Sequence, residues 1–175
     1  MVIFLAGVHG VGKTFLGKPV AESLGFKHAT ASDLIREELG GQSWQDNKHT
    51  SNVNENQEAL IAAVSRISKK IPLILDGHFV LRNTYGDIVP LPTNIFNRLA
   101  IKSVILMESP SNIIASRLDA RGASQSLQEI EEIAIKEVNH ARYVCDELNI
   151  PFVKLFSTTQ EQLRIAVEKS IAGCK

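Results

Sequence analysis

The sequence predicts an α/β fold: a doubly wound, five-stranded parallel sheet with helices on both faces and a short lid. Three observations carry that reading. Five short apolar runs recur along the chain, at 2–6, 26–30, 71–76, 102–108 and 151–156. Most are continuous rather than alternating, the pattern of strands buried on both faces. Longer amphipathic stretches separate them, as helical crossovers between parallel strands require. Right-handed crossovers then wind the sheet both ways and place its ligand crevice at the carboxyl ends of the strands. The loops after Ala6, Asp76 and Glu108 are therefore expected on one rim.

Each element follows from local chemistry. "VIFLA" (2–6) is a buried strand, and the glycine-rich stretch 7–14 leads into a helix reaching about Leu24. "FKHAT" (26–30) is a weaker strand. "SDLIREELG" opens on Ser32, an N-cap residue type, and ends at a glycine pair, so it reads as a short helix. Residues 40–54 are polar and irregular. Apolar residues at helical spacing mark 55–70 as a helix before the strand "IPLILD" (71–76). The stretch 77–92 is rich in Gly and Pro and reads as loop. "KSVILME" (102–108) is a strand, and 110–122 a helix with Pro near its start. A long helix at 126–149, a strand at 151–156 and a helix at 158–173 complete the chain. No repeat and no low-complexity linker divides it, so 1–175 reads as one domain.

Composition narrows the function. The chain has 175 residues, 44% apolar, enough for one real core. Its formal net charge is zero, so no general attraction to nucleic acid or membrane is implied. Cys145 and Cys174 make neither a disulfide framework nor a metal quartet. The opening residues lack a basic n-region, and no apolar stretch approaches a bilayer span. The expectation is a soluble, cytoplasmic protein with free thiols. Nothing in the sequence specifies an oligomer.

The chemistry begins at "GVHGVGKT". Gly7-x-x-x-x-Gly12-Lys13-Thr14 satisfies the phosphate-loop pattern, between a strand and a helix as that motif requires. Glycines let successive N–H groups curl inward, and the helix adds its positive end. Gly7, Gly10, Val11, Gly12, Lys13, Thr14 and Phe15 are the expected nucleotide-binding residues. Lys13 supplies a cation to the outer phosphates of ATP, and Thr14 a hydroxyl to Mg2+. His9 lies within the loop, where the backbone does the binding.

The class of phosphate-loop protein follows by exclusion. "NKHT" at 47–50 lacks the Asp of a guanine-reading motif and follows no strand. The chain is too short for an AAA-type helical lid after the core. A small phosphotransferase remains, and its reaction needs charge neutralised on the migrating group. Arginine suits that task, because it stays charged and grips phosphate bidentately. Of eight arginines, Arg66 and Arg164 sit on mixed charged helix faces. Arg117 and Arg121, four apart, project from one face of a helix end, before a glycine and a small polar flap. On spacing alone they are equally a charged surface pair with Asp119 as local partner.

"SDLIRE", "DGHF" and "PSNIIASRLDARG", in this order and spacing, resemble the nucleoside monophosphate kinase family. The Asp-x-His strand end, the Pro-rich "GHFVLRNTYGDIVPLP" and "VNHARYV" are most similar to the archaeal type of adenylate kinase. The resemblance covers most of the chain and implies transfer of the γ-phosphoryl of ATP to a small-molecule acceptor, AMP by default. It implies an acceptor-binding insertion at 31–70 and a short lid at 117–126. It gives Arg36, supported by Asp33, to the acceptor phosphate, and Arg142 more weakly to the last lid element. Arg117 and Arg121 embrace the migrating group with Lys13, and Asp76 orients Mg2+ through water.

Several positions depart from the family pattern. "DGHF" lacks the family's Pro-Arg, and the nearest arginine, Arg82, stands two places late. Arg82 either reaches the acceptor or lies on a loop surface. His78 either contacts substrate or packs beneath that loop. For Asp33 the alternative to a site role is capping its helix, and for Asp76 it is forming an Asp-Gly turn. Trp44 either stacks on an acceptor base or seals a small core. His28, His49 and His140 look incidental. A second reading is a kinase of a small hydroxyl-bearing metabolite, with Asp33 as base and Arg36 on a substrate carboxylate. A third is a non-catalytic ATP-binding protein.

Overall fold

Val2–Ala6 is buried at every position and forms β1, the middle strand of the molecule. The computed structural model describes residues 1–40, 53–83 and 85–173. The readings made for Trp44, His49, Cys174 and most of the polar stretch 40–54 lie outside the described residues. The other strands of the main sheet are β2 (Lys27–Thr30), β3 (Leu73–Asp76), β6 (Ile101–Glu108) and β7 (Phe152–Phe156). Their order is β2-β3-β1-β6-β7, and every pairing is parallel. The chain leaves β1 toward β2 on one side, and β6 flanks β1 on the other. The crevice at the carboxyl end of β1 is thus a topological switch point.

Strand alternation divides the core in two. Val2, Phe4 and Ala6 face one cluster, with α3 (Val53–Ser68), α4 (Thr93–Arg98) and the later part of α6 (Leu127–Leu148). Ile3 and Leu5 face the other, with α1 (Lys13–Ser23), α5 (Ser111–Asp119) and α7 (Gln160–Ala172). The helix α6 belongs to both: Ile130 packs in the second cluster, Ala141 and Val144 in the first. Covering both faces is what made the strands read as continuous apolar runs.

Two local expectations need correction. The short helix α2 (Ala31–Glu38) is capped by Thr30 rather than Ser32; the Thr30 hydroxyl accepts from the Asp33 amide at 3.1 Å. Stretch 77–92 is not simply loop. It holds an antiparallel hairpin, β4 (Val80–Arg82) against β5 (Ile88–Pro90), followed by α4, which carried no helix signal. These strands are three residues long, and Pro90 sits on a two-stranded ribbon where a missing N–H is tolerated. The hairpin's support is distant in sequence. Phe79 is fully buried, stacked on Phe96 at 4.4 Å and edge-on to Phe4 at 5.2 Å.

Candidate active site

The phosphate loop takes its shape from glycine. Gly7, Gly10 and Gly12 have φ of 136°, 81° and 107°. A Cβ on Gly7 would stand 2.4 Å from the Met107 carbonyl oxygen of β6, so no other residue fits there. Gly12 caps α1 without a side-chain hydrogen bond, and no acidic residue occupies the first turn. The leading amides of α1 therefore keep their positive end open to an anion.

Lys13 is buried beneath that loop. Its ammonium donates to the Gly7 carbonyl at 2.6 Å and the Val8 carbonyl at 3.3 Å, with Asp76 Oδ1 at 3.6 Å. Desolvation lowers its pKa, while Asp76 and Glu137 resist the shift. The Thr14 hydroxyl donates to Asp76 Oδ2 at 2.7 Å. Asp76 ends β3 beside β1, so the sheet register sets this contact. Thr14 and Asp76 thus present hard oxygen atoms side by side at the rim, a donor set that fits Mg2+.

Two imidazoles border the same point. The His9 and His78 rings lie 4.2 Å apart. Desolvation, then the charge of Lys13, lowers the pKa of His9; the same causes, with His9 itself, hold His78 well below its ordinary value. His28 approaches Asp76 from β2, its Nε2 3.9 Å from Oδ2 and without a hydrogen-bond partner among the described residues. It stands against Gly17, where a Cβ would meet its ring at 3.0 Å.

A cavity of about 530 Å³ opens beside the loop. Its walls are mostly apolar, with Phe4, Ile35, Leu60, Leu91, Ile95 and Phe96 among them. Its polar end holds Lys13, Thr14, Asp76, His9, His78 and Arg121. α2, α3, the hairpin and α4 enclose it. The size is ordinary for a small-molecule site.

The structure brings some sequence-singled residues together and leaves others apart. Gly10, Gly12, Lys13, Thr14, Phe15, His78 and Asp76 all border the cavity, and Phe15 is 79% exposed at its mouth. Gly7 and Val11 lie buried behind it. Arg117 donates to the Gly10 and Val11 carbonyls at 3.1 and 2.9 Å, so its guanidinium stands on the outer face of the loop. Arg121, one turn on, lines the cavity. Arg36 pairs with Asp33 at 3.0 Å, both half exposed, and neither lines it. Arg82 folds onto its own hairpin turn, donating to the Gly86 carbonyl at 2.7 Å. Arg142 is exposed on α6, outside the cavity lining.

Sequence reasoning missed Glu137. It is 1% exposed and accepts the Gly7 amide at 3.2 Å and the Phe79 and Val80 amides at 2.9 Å each. A signal existed: Glu137 occupies a core position in the stripe Ile130–Ala134–Glu137–Ala141–Val144. A carboxylate on the buried stripe of a helix invites a search for its donors. His140, read as incidental, meets the Leu91 carbonyl at 2.7 Å.

Comparisons with known proteins agree with this layout. The sequence model of the family described as "AAA domain" matches residues 6–134. An adenylate kinase of Thermococcus kodakarensis is 25% identical over 76% of this chain and 72% of its own length. Shikimate kinase from Acinetobacter baumannii, solved with shikimate, superposes with a TM-score of 0.63 at 13% identity, covering 99% of this chain and 94% of that one. A gluconokinase from Sinorhizobium meliloti gives 0.58 at 12% identity, covering 99% and 91%. At such identities the two structures speak for the fold alone.

Proposed function

The chain belongs to the AAA domain family, and from that premise we propose that it is an ATP-dependent phosphotransferase acting on a nucleoside monophosphate, AMP by default. One observation carries the choice of acceptor: the cavity beside Lys13 is walled by aromatic and aliphatic side chains. Such a wall suits the faces of a nucleobase. Thr30, Ser32, Asn56 and Gln57 also line the cavity and offer hydrogen-bond partners to the edge of a base or to a ribose. The adenylate kinase relative supports the same choice.

The chain's groups then divide the work. The loop amides and the end of α1 hold the triphosphate of ATP. Lys13 exchanges the Gly7 and Val8 carbonyls for phosphate oxygens. Thr14 and Asp76 would hold Mg2+, which when bound neutralises phosphate charge. Arg121, from the flap after α5, meets the migrating group from the cavity side, and Arg117 braces the loop. An oxygen of the acceptor phosphate bonds to the γ-phosphorus as the bond to the β,γ-bridging oxygen breaks, giving two diphosphates. The acceptor is already ionised, so no general base is required.

The hydroxyl-acceptor reading draws on a different observation. Lys13 and Arg121 are the only Lys or Arg that line the cavity among the described residues. A panel assay separates the two, with ATP and either AMP, CMP, UMP, gluconate, shikimate or nucleosides as acceptor. The account expects ADP from AMP at the highest kcat/KM. A hydroxyl acceptor outrunning every monophosphate overturns it, and no turnover with any acceptor favours a binding protein.

A further inference from the structure

α6 crosses from one core cluster to the other, and Glu137 sits at the crossing. Its two carboxylate oxygens face opposite parts of the site. Oε1 takes the amide of Gly7, the first residue of the phosphate loop. Oε2 takes the amides of Phe79 and Val80, where the acceptor-side hairpin begins. One turn on, His140 meets Leu91, where the hairpin ends. Leu81 and Leu91 line the cavity, and Phe79 stacks on the lining residue Phe96. Gly7 is also the residue whose carbonyl receives Lys13.

No neutral side chain reproduces this. Glutamine has one accepting oxygen, so its NH2 would face either the loop amide or the two hairpin amides. Burying a carboxylate is costly, and similar volume filled with apolar atoms often serves stability as well. A two-sided acceptor at this point serves geometry: it fixes the separation of loop and hairpin.

We propose that Glu137 is a positioning residue that couples the phosphate loop to the acceptor wall, so that a nucleotide bound on the loop orders the hairpin and the two reacting phosphates meet at a set distance. This rests on the phosphotransferase reading above. Its test has an arm independent of acceptor turnover.

Hydrogen exchange of residues 77–92 is followed in the whole protein, with and without a non-hydrolysable ATP analogue. The variants are Glu137→Gln, Glu137→Asp and, as a control for lost packing, Val144→Ala in the α6 core. In the native protein and in Val144→Ala the analogue slows exchange at Phe79 and Val80 about tenfold. In Glu137→Gln the analogue binds within about threefold of native affinity, yet the slowing disappears and kcat with AMP falls about 100-fold, as a misplaced reactant requires. Glu137→Asp, shorter by one methylene, cannot reach both sides; it gives an intermediate loss, and it decides the matter if Glu137→Gln does not fold. The proposal is overturned if the native protein shows no slowing. It is equally overturned if the Glu137 variants keep both the slowing and the kcat of Val144→Ala at the same distance below their Tm. If no acceptor turns over in the native protein, the acceptor assignment fails and the exchange arm still judges the coupling.

Discussion

The phosphate-loop side and the apolar-cavity side of this site are built by different means. On the phosphate side, residues 7–14 carry the phosphate-binding groups themselves: three glycines at positive φ, a helix end, and a lysine that folds back onto its own loop. On the apolar-cavity side, almost nothing is local. The cavity wall depends on Phe4, Phe79 and Phe96 meeting across the chain, and on Glu137 and His140 reaching back to residues 79, 80 and 91. A site can therefore be half motif and half tertiary assembly. Substitutions should act differently on the two halves.

The largest effect sharpens the phosphate side. Lys13→Ala is expected to lower kcat/KM about 1,000-fold, as loss of a charge aimed at the migrating group does. Circular dichroism should stay native, because that lysine's hydrogen bonds are to its own loop and its ion-pair partner Asp76 keeps the Thr14 hydroxyl. Steady-state kinetics that change by less than tenfold would break the comparison.

Phe79→Ala tests the assembled side. The ring is fully buried between Phe4 and Phe96, so a loss of about 3–5 kcal/mol is expected in urea unfolding. Below the transition, KM for the acceptor should rise by clearly more than the dissociation constant for ATP, which shifts only through the coupling at Glu137. A loss of ATP affinity as large as the rise in KM would show that the two halves are not distinct in this way.

A third comparison sets one arginine against another. Arg121 lines the cavity, whereas Arg36 is paired with Asp33 outside it. Arg121→Ala should cost about 10- to 100-fold in kcat, and Arg36→Ala less than about threefold. The reverse order would move the acceptor phosphate toward α2.

The smallest effect is in pH. The pKa of His78 is held well below its ordinary value, so the unfolded chain takes up protons first as pH falls. Stability from that histidine is complete above about pH 6.5 and declines below it, toward the depressed folded value. His9 and His28 shift the same way, while the raised Glu137 carboxyl works in the opposite sense just above its ordinary range. His78→Gln should flatten the fall of Tm between about pH 6.5 and 5 relative to the native protein. An unchanged slope would remove His78 from the account.

The same division explains what the sequence revealed. The five strands of the main sheet and the loop at 7–14 were legible because their signals are contiguous: apolar runs and a spaced glycine motif. Asp76 was legible because, in a parallel sheet, register carries the end of one strand beside the end of its neighbour, where the phosphate loop begins. The hairpin was not, since three-residue strands held by a glutamate 57 positions away leave no periodicity. Nor was the difference between Arg121 and Arg36, which is a matter of which way a helix end faces. Glu137 was hidden by its type, because glutamates on a long helix usually mark the wet face.

The central claim is that both halves converge on one point between the phosphate loop and the apolar cavity. Calorimetric titration with two adenosines joined by five phosphates tests it most directly. The account predicts one molecule bound per chain, at least about 100-fold tighter than ATP, because the second half binds at high effective concentration. Two molecules per chain, or an affinity no better than that of ATP, would contradict it.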